Sequence, residues 1–125
     1  MFHTGYFSKI QKYEECGLVP IGIAARLPEG LRNIHHMPEL GPSWSIFSEY
    51  QKTHDTEVYT RRFTEEILGK LNPDQIMTNI LLFVKGTNKL PILLCYENPN
   101  AFCHRHIVAK WLNTHFDFNG TEFII

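Results

Sequence analysis

The chain has 125 residues, 43% hydrophobic and 13% aromatic, which fits one compact domain spanning 1–125 and leaves no room for a second. Its 12 Lys and Arg against 13 Asp and Glu give a formal charge of −1, which excludes a protein held to duplex DNA mainly by net charge. The longest apolar runs, such as Ile80 to Val84, fall far short of the roughly 20 residues needed to cross a bilayer, so no membrane partner is expected.

Phe2 to Phe7 reads as a short first strand, with Ser8 placed to cap a helix that ends before Gly17. Val19 to Ala24 is apolar enough for a second buried strand, provided Pro20 lies near its start. From Leu27 to Pro42, prolines 28, 38 and 42 with glycines 30 and 41 predict an irregular excursion. Ser43 caps a helix from Trp44 to about Lys52. Tyr59, Phe63 and Ile67 then recur at helical spacing between Glu57 and Leu71. Asn72-Pro73 starts another helix, in which Ile76, Ile80, Leu81 and Val84 share one face before Gly86 stops it.

Leu90 to Tyr96 is a nearly continuous apolar run, as in a central strand covered on both faces. A helix over about Ala101 to Thr114 and a last strand over Glu122 to Ile125 complete the chain. This alternation predicts a small α/β layered domain with a mainly parallel central sheet flanked by helices.

Three cysteines, Cys16, Cys95 and Cys103, are an odd number. The opening Met1-Phe2-His3-Thr4 has neither the charged nor the apolar part of a secretory signal. A reduced, cytoplasmic protein is therefore expected.

The run from Leu93 to His106 carries the chemistry. A strand, a tight connection and a helix start place a thiol, a guanidinium and two imidazoles where free N–H groups favour anions and thiolates. Ligands of open parallel sheets collect beyond the carboxyl ends of the strands. That rule gathers Thr4, Tyr6, Arg26, Tyr96, Glu97, Cys103, Arg105 and His106.

Cys103 is the nucleophile candidate and His106, one turn on, its catalytic partner; the bland alternative is a small cysteine packed in the core. Cys95, inside the apolar strand, reads as structural. Arg105 suits a phosphate or carboxylate, or else a salt bridge with Glu97 or another acid. His104 and His106 diverge on a helix, so one ligand cannot face both.

Tyr59, Arg62 and Glu66 line one helix edge, either toward the cleft or as a solvated ion-paired face, while Trp44 stacks on a planar ligand or anchors the long loop. A zinc site would combine Cys95 and Cys103 with His104 or His106. The chain has no CxxC pair and no HExxH, so no metal or other cofactor is expected.

Leu93-Leu94-Cys95-Tyr96-Glu97 and Phe102-Cys103-His104-Arg105-His106 closely resemble the prokaryotic and phage family called domain of unknown function 488, in its short form. The resemblance extends to Ala24-Ala25-Arg26-Leu27-Pro28, Leu40-Gly41-Pro42-Ser43-Trp44 and Tyr59-Thr60-Arg61-Arg62-Phe63, and so covers most of the chain. It implies a compact α/β domain with the cysteine-histidine-arginine motif as its signature. The leading expectation is an enzyme or binding domain for a small anionic, nucleotide-like ligand held by Arg105 and Arg26. The alternatives are an accessory protein of single-stranded nucleic acid and a non-catalytic protein-interaction module.

Overall fold

The computed structural model describes residues 1–96 and 102–124. Five parallel strands stand in the order β3-β2-β4-β1-β5, so the sheet is wholly parallel. Its strands are β1 (His3–Tyr6), β2 (Leu18–Gly22), β3 (His35–His36), β4 (Leu90–Cys95) and β5 (Thr121–Glu122). β4 is central and buried from Pro91 to Cys95, which is why it reads as an unbroken apolar run. β3 reaches only Ile21 and Gly22, leaving Pro20 where β2 has no partner on that side.

One face of the sheet carries α1 (Ile10–Glu15), with Tyr13 packed among Phe7, Leu18, Ile92 and Leu94. The other face carries α2 (Trp44–Thr53), α3 (Thr56–Arg62), α4 (Pro73–Val84) and α5 (His104–Phe116) around a larger core of Ile21, Ile23, Phe63, Ile80, Leu93 and Val108. The chain leaves β2 toward β3 on one side but leaves β4 toward β5 on the other. Its direction therefore reverses between two neighbouring strands, the arrangement that opens a crevice at their carboxyl ends.

Local signals account for most boundaries. Ser43 Oγ accepts from Ile46 N at 3.2 Å, and Asn72 Oδ1 accepts from Asp74 N at 2.9 Å with Pro73 in the first turn. Several expectations need correction. Ser8 caps nothing: Phe7–Lys9 forms a 3-10 turn and α1 begins at Ile10. The excursion after Leu27 is not wholly irregular, because His35–His36 adds a strand too short to show a period. On α4, Met77 is buried with Ile76 and Ile80, while Leu81 faces outward, 49% exposed. α3 passes into a wide π turn, Phe63–Ile67, and a 3-10 turn, Leu68–Lys70. The helix expected from Ala101 starts at His104, with Cys103 as its N-cap.

The thiols also depart from expectation. The end of β4 and the start of α5 bring Cys95 and Cys103 together, and their sulfurs are joined in a disulfide, whereas Cys16 is free and exposed. No helix among the described residues is long and apolar enough to cross a membrane.

Candidate functional site

A cavity of about 520 Å³ opens beyond the carboxyl ends of β2 and β4. Its floor is Cys95, Cys103 and His104. Its walls are aromatic: Tyr50, Tyr59 and Phe102 pack with ring centroids 5.1 to 5.4 Å apart, and the more exposed Trp44 and Phe47 lie 5.9 Å from each other. Trp44 is 76% exposed, and Arg26 is exposed at the rim.

The wall after β2 is fixed by its own carbonyls. Ile23 O accepts from His104 Nε2 at 2.8 Å, Ala24 O from His36 Nε2 at 2.8 Å and Arg26 O from Tyr96 Oη at 2.9 Å. Gly41 lies so close that a Cβ there would meet Ala25 N at 2.5 Å. The absence of a side chain at position 41 thus lets the Pro42-Ser43-Trp44 segment close over the cavity.

Because a carbonyl only accepts, the 2.8 Å bond to Ile23 O puts the His104 proton on Nε2. The lone pair of Nδ1 is left facing Cys103 Sγ at 3.7 Å. Burial pushes the His104 pKa down to about 4; the bond to Ile23 O opposes the shift and the Arg105 charge adds to it. Its ring also packs at 5.6 Å from Phe63, in the π turn.

Arg105 lies beneath the floor, fully buried. Its Nε and Nη2 bind the two Glu122 carboxylate oxygens at 3.0 and 3.1 Å, and Nη1 reaches Cys95 Sγ at 3.1 Å. Thr4 Oγ1 donates to the same carboxylate at 2.8 Å, and the Tyr6 ring centroid is 5.9 Å from the guanidinium carbon. Once the disulfide is reduced, a cation at this distance would stabilise a Cys95 thiolate.

The structure thus brings Arg26, Trp44, Tyr59, Tyr96, Cys103 and His104 around one cavity. Burial, and then Tyr50, raise the Tyr59 pKa, so its phenol stays protonated. Thr4 and His106 line a separate shallow groove with Lys110 and Glu122. Partial burial and Arg105 lower the His106 pKa. Arg62 faces neither: it ties α2 to α3 through Glu66 at 2.7 Å, Glu49 at 3.2 Å and Ser45 Oγ at 2.9 Å. Glu97 lies outside the described residues.

Residues 6–116 match the family model described as the active DUF488-N3 subclade. The chain belongs to this family. The match spans the cavity floor, both cysteines and the Trp44 segment. No curated protein and no solved structure gives a significant match.

Sequence reasoning missed Cys95 as a partner of Cys103, and Tyr50, Phe47 and Phe102 as walls. The cysteine signal was present: one thiol ends the central strand and the other precedes the next helix, so both point at the same rim. Cys95, Cys103 and His104 place their candidate ligand atoms within 4.8 Å of one another, a grouping that the absence of zinc motifs had argued against.

Proposed function

We propose that this member of the DUF488-N3 subclade binds a small, planar, negatively charged molecule of nucleotide-like size and, in its dithiol form, acts on it through Cys103. The observation carrying this reading is the Cys103 sulfur beside the unprotonated Nδ1 of His104 at the floor of an aromatic cavity. The volume falls within the roughly 300–1,000 Å³ of small-molecule sites. Flat aromatic walls suit a ring, and Arg26 at the mouth suits an anionic tail.

In this reading Cys103 is the nucleophile: the amino end of α5 favours its thiolate, and the Nδ1 lone pair of His104 beside the sulfur accepts a hydrogen bond from the reduced thiol. Arg105 does not touch the ligand; through Glu122 and Cys95 it holds the floor in place. The description of the subclade as active is in keeping with chemistry at this site.

A thermal-shift screen of nucleotides and simple phosphates on reduced protein tests the binding. A raised melting temperature that Arg26→Ala diminishes supports it; no response from any compound overturns it. Single-stranded oligonucleotides belong in the same screen, because the exposed Trp44 and Phe47 could stack bases. Strongly salt-dependent binding of strands with no response to mononucleotides would favour that second reading.

A further inference from the structure

We propose that, in the dithiol state, Cys95, Cys103 and His104 form a three-ligand site for a borderline-soft divalent cation, zinc above all, with the fourth coordination position open to the aromatic cavity. This inference rests on the floor of the cavity alone and stands without the ligand proposed above; the ion-bound dithiol is a separate state from the ion-free one in which Cys103 would act, because the ion takes up the same sulfur and Nδ1.

The donor set is chemically apt: two thiols and an imidazole suit zinc, which takes sulfur at about 2.3 Å and nitrogen at about 2.0 Å in a tetrahedron. All three residues are at least nine-tenths buried, and all three line the cavity, so an ion has both a protected seat and a way in. The two cysteine Cα atoms stand 7.3 Å apart, wider than the roughly 5.5–6 Å most common for disulfides, which leaves space for an ion between reduced sulfurs.

The imidazole is already oriented. Nε2 donates to Ile23 O, the outer contact that zinc-binding histidines usually make, and Nδ1 presents its lone pair on the sulfur side. Charge also balances: two thiolates neutralise a divalent ion, and the buried Arg105 is matched by Glu122. Among the described residues no fourth side chain joins the group, so water or a ligand from the cavity completes the tetrahedron.

A phosphine and one water reduce the disulfide: the phosphine gives two electrons and takes the water's oxygen to become its oxide, the two sulfurs take the water's two protons, and both protons leave when the thiols bind the metal.

The test uses the full chain carrying Cys16→Ser, reduced with a phosphine, freed of excess reagent without air, and titrated with Co2+ and then Zn2+. One Co2+ per chain is expected, with thiolate-to-cobalt charge-transfer absorption that an equivalent of Zn2+ abolishes. Bound Zn2+ should also slow alkylation of Cys103. Protein kept in its disulfide form should give no such band. His104→Ala should weaken Zn2+ by more than the roughly 10–100-fold cost of losing an outer contact.

Reduced chain that unfolds but refolds on adding Co2+, with the same band, would equally support the site. A folded reduced chain without the band, a chain that stays unfolded with metal, or a band undiminished in Cys95→Ser overturns it. Ligand screening of the disulfide form, which cannot hold the ion, separates failure of the cavity reading from failure of this one.

Discussion

Arg105 and Glu122 meet as a two-point ion pair, Nε to Oε1 at 3.0 Å and Nη2 to Oε2 at 3.1 Å, joining α5 to the last strand beneath the cavity. The guanidinium is wholly buried and the carboxylate nearly so, at 14% exposure. Removing Glu122 takes a two-point carboxylate partner from a guanidinium held in a dry site. Glu122→Ala should therefore cost about 3–5 kcal/mol in urea unfolding. A loss below about 1 kcal/mol, the range of surface pairs, would show that water reaches the guanidinium.

His104 gives the fold a pH dependence of definite sign. Its pKa is about 4 in the folded chain and about 6.5 in the unfolded one, so the unfolded state binds more protons between these values. Stability should be level above pH 6.5 and fall as pH drops toward 4, by on the order of 3 kcal/mol from this residue. Urea unfolding at pH 7.5 and 4.5 measures it. His104→Gln, which keeps a donor for Ile23 O, should lose most of the difference; an unchanged slope would assign the effect to other groups.

Gly41→Ala tests how the cavity closes. The added Cβ would meet backbone at Ala25 N and Ala24 C, which cannot move aside as a flexible side chain can. Overpacking of this kind costs typically about 1–3 kcal/mol. Any response of the protein to nucleotides should fall with it, because the Trp44 segment is pushed away. A variant as stable as the parent would place Gly41 farther from Ala25 than the structure has it.

The thiols should respond to iodoacetamide in two groups. Without reductant the native chain should take one label, on Cys16, because the other sulfurs are joined to each other. After reduction Cys103 should become reactive, since it lines the cavity. Mass spectrometry of peptides reads both results. Labelling of Cys103 in unreduced native protein would contradict the pairing.

How much of this was legible in the sequence depended on the range of the interaction. Apolar runs and local caps reveal the central strand, the Ser43 and Asn72 helix starts and the parallel layering, because those features are fixed by neighbours in the chain. The family resemblance located the motif that the family match then covered. Long-range partners were not legible. Glu122 pairs with Arg105 across 17 residues, and His104 reaches Ile23 across 81. Nothing at either position announces its partner. The strand His35–His36 was invisible for the opposite reason, since two residues are too few to carry alternation.

Both rims of the sheet end in strands of only two residues, β3 and β5. Each offers so little unpaired backbone that a foreign chain would find almost nothing to lie against, and Glu122 within β5 is already committed to its cation. Most of the sheet's hydrogen-bonding capacity is thereby turned inward, and where β2 runs past β3 its edge carries Pro20, which has no N–H to offer a foreign strand.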